Sequence, residues 1–241
     1  MGVLRVSGRV YGLRLVTHTG PMNFKLTLNF KFYTAMSMWP KLTLKSPWGR
    51  IVLAPPQPEY DTDVAALRSD ADALRYLPSM PKSVTAEEWR TKREAQATDD
   101  EIWSFYIHLA GPAPAFVGQC ALWRIDLPNR AAEIGICVSP RVHRRGIATE
   151  ALYVVLSHAF EHPDLRLHRV QFVTGATNVQ MRGWLEGFGI AVEHRLREAW
   201  SDGRGGWLDN VGYSILEGEW PALKTTLEAR LAARLQSGSV E

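Results

Sequence analysis

The stretch SPRVHRRGIATEAL, residues 139–152, concentrates groups that proteins use to hold an anion. Three basic side chains at 143–145 directly precede Gly146, and Ala148 follows at the start of a helix-forming run. The first amides of a helix have no partner within the helix and carry partial positive charge, so they favour a phosphate group. Gly146 and Ala148 leave room for close approach, and a glycine also accepts a positive φ. The pattern therefore predicts a phosphate-binding loop at a helix N-terminus.

Two other phosphate-binding motifs are excluded, because the stretch contains neither G-x-x-x-x-G-K-[ST] nor G-x-G-x-x-G. Taken alone, HRRG is also compatible with an ordinary solvated basic turn that caps a helix. The neighbouring sequence favours phosphate binding over that alternative, since a strand-like run precedes the loop and a long, apolar-faced helix follows it.

Hydrophobic periodicity and turn residues predict the elements that must position this loop. The predicted strands cover 50–56, 101–110, 115–126, 131–139, 168–176, 190–200 and 207–216. The predicted helices cover 61–77, 85–97, 146–162, 178–189 and 219–236. Thr85 and Glu88 have capping-box spacing in the second helix, and Leu223, Leu227 and Leu231 share a face of the last. This order predicts one mixed α/β sheet, not a doubly wound one.

Composition narrows the class of protein. The chain has 241 residues, of which 46% are hydrophobic and 22% charged, and no run of 18 apolar residues could cross a membrane. A net charge of +3 is too small to indicate nucleic-acid binding, and aromatic residues do not alternate with an extended basic face. Cys120 and Cys137 lie in apolar stretches without metal-ligand spacing, which predicts free buried thiols, no metal site and a cytoplasmic location.

The N-terminal segment has a different charge balance from the rest. It has no acidic residue before Glu59, and eight basic ones precede that position: Arg5, Arg9, Arg14, Lys25, Lys31, Lys41, Lys45 and Arg50. Three interpretations stay open, namely a transit peptide, a basic tail, or an extension upstream of a start at Met36 or Met38. We assign residues 1–40 to a basic N-terminal extension and 41–241 to the main domain, with a mitochondrial location as the alternative.

The string AEIGICVSPRVHRRGIATEAL, residues 132–152, resembles the central motif of the GNAT acetyltransferases, (Q/R)-x-x-G-x-(G/A), which falls on residues 143–148. Other landmarks, in the same order, resemble the RimJ/RimL-type branch, named for acetylation of ribosomal-protein N-termini. They are FVGQCAL, IDLPNRAAEIGI, HRVQFVTGATNVQMRGWLEGFG and SDGRGG…YSIL. The resemblance covers roughly residues 45–220, and the ordered set is more specific than any single motif.

The resemblance implies a single GNAT-like α/β domain with a mixed, mostly antiparallel central sheet flanked by helices. It implies an N-acetyltransferase that moves an acetyl group from acetyl-CoA directly to a primary amine, on a protein N-terminus or a small molecule. The acceptor would be chosen by the first two helices and the loop SDGRGG, and the chain would be a monomer or homodimer without a membrane partner. A non-catalytic acyl-CoA-binding module of the same fold is the alternative.

The resemblance also assigns a cofactor site. Backbone groups at Ile136, Cys137 and Val138 would bond the pantetheine arm. The pyrophosphate would be held by the loop and the first helical turn: His143, Arg144, Arg145, Gly146, Ile147, Ala148 and Thr149. Asn178 matches the family asparagine that bonds the pantetheine arm, and it is also suited to be a helix N-cap.

Glu133 is the candidate general base. An amine with a pKa near that of lysine is mostly charged at pH 7, so a carboxylate must take its proton. Strand alternation puts Glu133, Gly135 and Cys137 on one face, and the position matches an acidic one that GNAT enzymes often use. An exposed Glu133 paired with Arg130 is the alternative; Asp126 and Asp209 are weaker candidates for the base.

Two departures from the family pattern concern the leaving thiol and the loop. Several GNAT branches place Ser or Tyr shortly after the asparagine, where this chain has Val, Gln and Met181. The thiolate would then be protonated by water, by the ammonium of the tetrahedral intermediate or by Tyr213. His143 stands where Gln or Arg is usual, and its imidazole can still reach a phosphate. Among the aromatic residues, we expect core positions for Trp103, Tyr106, Trp123, Trp184 and Phe188.

Overall fold

The computed structural model describes residues 2–6, 9–13, 42–78, 80–203 and 205–237. The chain divides into two compact units, Met1–Met38 and Trp39–Glu241. In the first unit, β1 (Gly2–Val6) pairs antiparallel with β2 (Arg9–Leu13). Most of the basic extension assigned to residues 1–40 lies outside the described residues, so that assignment and its three interpretations stay predictions.

The second unit has its strands and helices in the predicted order, with one short strand at 44–45 that was not predicted. Its strands are β3 (Leu44–Lys45), β4 (Ile51–Ala54), β5 (Trp103–Leu109), β6 (Ala115–Asp126), β7 (Ala131–Val138), β8 (Arg169–Gly175), β9 (Val192–Ser201) and β10 (Trp207–Leu216). Its α-helices are α1 (Asp61–Leu67), α2 (Ala86–Gln96), α3 (Ile147–Glu161), α4 (Val179–Gly187) and α5 (Trp220–Ser237). Short 3-10 helices cover Pro58–Tyr60 and Pro140–Val142.

The eight strands of this unit form one sheet in the order β3-β4-β5-β6-β7-β8-β10-β9. Every neighbouring pair is antiparallel except β7 and β8, which are parallel because α3 crosses between them. The predicted fold class, a mixed and mostly antiparallel sheet flanked by helices, is therefore confirmed.

Helices cover both faces of the sheet. On one face, Val64 and Leu67 of α1 and Trp89 of α2 pack against Tyr106 and Cys137 of the sheet. On the other face α3 and α4 contact the sheet through aromatic pairs: Trp103 with His158 and Phe172 with Trp184. Since successive strand side chains point to opposite faces, Glu133 and Cys137 face α1 and α2, whereas Ile134 and Ile136 face α3.

The first helix is shorter than predicted: α1 ends at Leu67, whereas the prediction extended to residue 77. The Asp70 carboxylate accepts hydrogen bonds from the amides of Asp72 and Ala73, at 2.8 and 3.0 Å. Such a side chain gives the backbone an alternative to helical bonding, so the chain turns here. At the other end of α1 the N-cap residue is Tyr60, and Asp61 in the first turn forms a bidentate ion pair with Arg93 of α2.

Other local predictions agree with the structure. The capping box of Thr85 and Glu88 is present at the start of α2. Core positions are confirmed for Trp103 and Tyr106 but wrong for Trp123, which is 38% exposed. In α4 the buried side chain is Leu185, and Trp184 and Phe188 are only half-buried.

Three leucines of the last helix, Leu223, Leu227 and Leu231, are buried as predicted. Cys120 and Cys137 are free and buried, also as predicted. Within the described residues, no helix is both long and apolar enough to cross a membrane.

Candidate active site

The central feature of the site is a gap between β7 and β8. β7 pairs with β6 along its length, but it pairs with β8 only from Ala131 to Glu133. Beyond Glu133 the two parallel strands separate, and the β7 backbone from 134 to 138 has no strand partner on that edge. Unpaired backbone groups at a strand edge can bond an extended ligand. Ile136, Cys137 and Val138, the residues assigned to the pantetheine arm, lie in this segment.

The predicted phosphate loop follows the open end of β7 and leads into α3. Gly146 is the N-cap of α3 and has φ +80°, so the positive φ expected for this glycine is present. Arg144 also has a positive φ, +60°, and the side chains of Arg144 and Arg145 are exposed. Because Gly146 has no side chain, the first amides of α3, from Ile147 to Thr149, receive no side-chain cap from it. The loop therefore presents amides and positive charge together.

A Cβ atom at Gly146 would meet the ends of two arginine side chains. It would lie 2.9 Å from Cδ of Arg234, on α5, and 3.4 Å from Nη2 of Arg50. Two further arginines thus stand beside the loop. The arginine side chains can move aside, so the glycine is required here by its backbone conformation, φ +80°.

A buried ion pair ties the loop to the sheet, and sequence patterns gave no indication of it. Glu150, in the first turn of α3, is fully buried and accepts a 2.7 Å hydrogen bond from Nε of Arg50. Nη1 of Arg50 donates to the carbonyl of Arg145 at 3.1 Å. Through this bond to the backbone of Arg145, the Arg50 side chain holds the loop in position. The two partners are 100 residues apart in sequence, so no local pattern could reveal the pair.

The polar side chains assigned to the cofactor are mostly engaged within the protein. Nε2 of His143 lies 3.2 Å from the carbonyl oxygen of Val138, and the Thr149 hydroxyl accepts a hydrogen bond from the Trp184 indole. Asn178 accepts from the amide of Met181 and donates to the Thr174 hydroxyl. Its role as the N-cap of α4 is confirmed. Any ligand in the gap would meet chiefly backbone groups at these positions.

Glu133 stands where the gap between β7 and β8 begins. Its residue is 4% exposed, and Oε2 accepts hydrogen bonds from Nη1 of Arg124 at 3.0 Å and from Nε2 of Gln171 at 3.4 Å. Burial raises the pKa of the Glu133 carboxyl above its ordinary value, while Arg124, Gln171 and Trp123 act in the opposite direction. A carboxylate with a raised pKa at the edge of this gap is suited to accepting a proton from an amine.

The alternative in which an exposed Glu133 pairs with Arg130 is wrong, since Glu133 is buried. Arg130 pairs with Glu217 and donates to the carbonyl of Arg166. Arg124 takes its place because the register between β6 and β7 shifts after Trp123, where Arg124 adopts φ +50°. A bulge of this kind re-aims a side chain, and it cannot be read from strand alternation.

The weaker acid and base candidates are bound elsewhere. Asp126 accepts from the amide and the side chain of Asn129 in a turn, and Asp209 pairs with Arg195. The Tyr213 hydroxyl donates to Glu186 at 2.8 Å, on the α4 face of the sheet and opposite to Glu133. Burial raises the pKa of Tyr213 above its ordinary value. Among the described residues, no group of three or more His, Cys, Asp and Glu is placed to hold a metal ion.

Comparison with known proteins gives a sequence match and structural matches. A sequence model of the acetyltransferase (GNAT) domain matches residues 50–191. The chain is 33% identical over 107 residues to YdaF of Bacillus subtilis, whose name assigns it provisionally to ribosomal N-acetyltransferases. That match covers 44% of this chain and 57% of YdaF, so the chain spans little more than half of this relative.

Two solved structures illustrate the structural similarity. A GCN5-related N-acetyltransferase from Brucella melitensis is 25% identical with a TM-score of 0.66, over 78% of this chain and 85% of that one. RimJ of Mycobacterium smegmatis, solved in complex with CoA-disulfide, is 26% identical with a TM-score of 0.66, over 80% and 94% of the two chains.

Proposed function

Because the chain belongs to the GNAT acetyltransferase family, we propose that it transfers the acetyl group of acetyl-CoA to the primary amine of a protein N-terminus or a small molecule. The observation that carries the proposal is the arrangement along β7. An uncapped helix N-terminus lies beyond its far end, an unpaired backbone edge runs along it, and a buried carboxylate stands where the edge begins. These parts suit binding of the pyrophosphate and the pantetheine arm of CoA and removal of a proton from the acceptor amine.

The residues present fit acetyl-CoA as the co-substrate. The Arg145 amide donates to the carbonyl of Val142. The amides from Gly146 to Thr149 and the neighbouring arginines suit the pyrophosphate, because helix N-termini and basic side chains bind phosphate. The backbone of Ile136, Cys137 and Val138 offers an edge to the pantetheine arm, as a partner strand would. The RimJ neighbour was solved with a CoA derivative, which supports the same assignment.

In this proposal Glu133 supplies the base. The acceptor amine loses a proton to Glu133, its nitrogen forms a bond to the acetyl carbon, and the carbon–sulfur bond breaks. The hydroxyl of Tyr213 donates to Glu186 on the opposite face. We therefore assign the proton of the leaving thiolate to the ammonium of the tetrahedral intermediate or to water, and not to Tyr213.

The test is the variant Glu133→Gln, which keeps the shape of the side chain but cannot accept the proton. We expect CoA to raise the melting temperature of this variant as much as that of the native protein. We expect acetyl transfer at pH 7, followed by thiol release over a panel of amines and peptides, to fall by about 10²-fold or more. The control is Asp126→Asn, which changes an acid outside the cleft.

The outcomes separate the proposal from its alternative. Transfer by the native protein, with the expected loss in the variant, supports an enzyme with Glu133 as its base. Binding of CoA without transfer to any acceptor would instead support the non-catalytic binding module. A melting temperature that does not change at millimolar CoA would overturn the proposed function altogether.

A further inference from the structure

The last helix, α5, runs beside α3, the helix that follows the phosphate loop. At one end, the Trp220 indole and Nζ of Lys224 each donate to Oε1 of Glu161 at 2.8 Å. Further along, the Tyr153 hydroxyl donates to Glu228 at 2.6 Å. The contacts move toward the start of α3 as the chain advances along α5, so the two helices are antiparallel.

The C-terminal end of α5 consequently reaches the N-terminus of α3. From Trp220 to Arg234, α5 rises about 21 Å at about 1.5 Å per residue. The length of α3 from Glu161 back to Ile147 is the same. Cδ of Arg234 lies 2.9 Å from the position that a Cβ atom would take at Gly146. An arginine thus reaches the loop from a helix that follows the residues matched by the GNAT domain model.

The pattern of α5 directs this arginine toward the loop. Leu223, Leu227 and Leu231 form the buried face of the helix. A position three residues beyond Leu231 lies on that same face. Arg234 occupies this position and is exposed. Its side chain therefore reaches the N-terminus of α3 and stays accessible to a ligand.

Arg234 adds a positive charge beside the loop. Nε of Arg234 and Nη2 of Arg50 lie 3.2 and 3.4 Å from the same point, the Cβ position of Gly146. Arg50 is paired with Glu150, whereas no acid among the residues that the structure describes pairs with Arg234. Two guanidinium groups this close together repel each other, so an anion beside Arg234 is favoured.

CoA has an anionic group besides those that the loop accounts for. Its pyrophosphate suits the amides from Gly146 to Thr149 and the exposed Arg144 and Arg145. The ribose that carries the pyrophosphate also carries a separate phosphate on its 3′-hydroxyl. A phosphate monoester has a charge of about −1.5 to −2 at pH 7. A guanidinium group binds such a phosphate through two parallel N–H···O bonds.

Building on the proposed function, we propose that Arg234 binds the 3′-phosphate of CoA, so that α5 belongs to the cofactor site. The loop holds the pyrophosphate, and Arg234, beside the N-cap of α3, holds the second phosphate of the same ribose. The protein therefore selects CoA over 3′-dephospho-CoA through a side chain that lies outside the loop.

The experiment measures binding, so it does not depend on catalysis. The native protein and its variants are titrated calorimetrically with CoA and, separately, with 3′-dephospho-CoA. We expect the native protein to bind CoA about tenfold more tightly, which is about 1.4 kcal/mol. Arg234→Gln should lose this preference because its affinity for CoA falls, while its affinity for 3′-dephospho-CoA stays at the native value.

Lys224→Gln is the matched control. It removes a cation of the same helix at the end far from the loop, where Lys224 pairs with Glu161. This variant should keep the native preference for CoA. Arg234→Lys keeps the charge but not the paired donors of the guanidinium group, so we expect an intermediate preference.

Three results would overturn the inference. One is equal affinity of the native protein for the two ligands, and another is the native preference retained in Arg234→Gln. The third is an equal loss of affinity for both ligands in Arg234→Gln, which would place Arg234 on the pyrophosphate. In each of these results CoA still binds, so the proposed function stands. If CoA does not bind the native protein at all, the proposed function fails together with this inference.

Discussion

The two halves of the candidate site are built differently. The cofactor half, from Ile136 to Thr149, is one continuous segment whose ligand-binding groups are mainly backbone groups, together with the glycine at the N-cap of α3. The acceptor half combines Glu133 of β7 with Arg124 of β6 and Gln171 of β8, which are side chains from separate strands. A site built from backbone leaves a local signature in the sequence. A site built from dispersed side chains is assembled only by the fold.

The first prediction concerns the anchor of the cofactor half. Glu150→Gln leaves Arg50 without its buried partner, and we expect the free energy of unfolding to fall by about 3 kcal/mol. This is the lower end of the usual range because the Arg50 side chain is 27% exposed. CoA affinity should fall as well, since Arg50 holds the Arg145 carbonyl.

Chemical denaturation and CoA titration measure both effects. Asp72→Asn, which removes an exposed pair with Arg75, is the control and should change stability by less than about 1 kcal/mol. Equal losses in the two variants would show that the buried pair does not anchor the loop.

The second prediction tests the backbone of the loop directly. Gly146→Val forces a β-branched residue to φ +80° and places a Cβ 2.9 Å from Cδ of Arg234. Strain of this kind is about 1–3 kcal/mol. We expect this strain to displace the loop backbone and to raise the Kd for CoA about tenfold or more, which calorimetry would measure. Gly183→Ala, in open space on α4, is the control. Unchanged CoA affinity in Gly146→Val would remove the loop from the cofactor site.

The third prediction, which has the smallest expected effect, concerns the pKa of Glu133 in the acceptor half. Arg124 lowers the pKa of Glu133, so Arg124→Gln should raise it further. Glu133 accepts a proton only when ionised, and activity is lost as the pH falls through its pKa. The acidic limb of the profile of kcat/KM against pH should therefore move to higher pH, with the plateau above it unchanged.

Arg195→Gln is the control for that profile, since Arg195 is an exposed arginine paired with Asp209 away from the cleft. Its acidic limb should stay in place. If the acidic limb does not move in Arg124→Gln, the limb reflects the ionisation of a group other than Glu133.

Sequence periodicity predicts the element order and the location of the loop, because both depend on neighbouring residues. The helix N-cap at Gly146 lies where the local pattern places it. The unpaired edge of β7 contains the residues that the family resemblance assigns to the pantetheine arm. The wrong predictions have local structural causes that hydrophobic periodicity does not show. The turn at Asp70 ends α1 early. The bulge after Trp123 makes Arg124, and not Arg130, the ion-pair partner of Glu133.

Long-range partners could not be predicted for a different reason. Arg50 reaches Glu150, and Gln171 reaches Glu133, only because the sheet brings distant strands and helices together. Such contacts depend on packing, and one sequence does not encode them in any short pattern.

The most direct test of the two-part site compares Glu133→Gln and Gly146→Val in parallel, with CoA affinity by calorimetry and acetyl transfer at saturating cofactor. The account predicts a double dissociation. Glu133→Gln keeps native CoA affinity and loses transfer, while Gly146→Val loses CoA affinity and regains transfer when the cofactor concentration is raised. Loss of CoA affinity in Glu133→Gln, or native affinity in Gly146→Val, would contradict it.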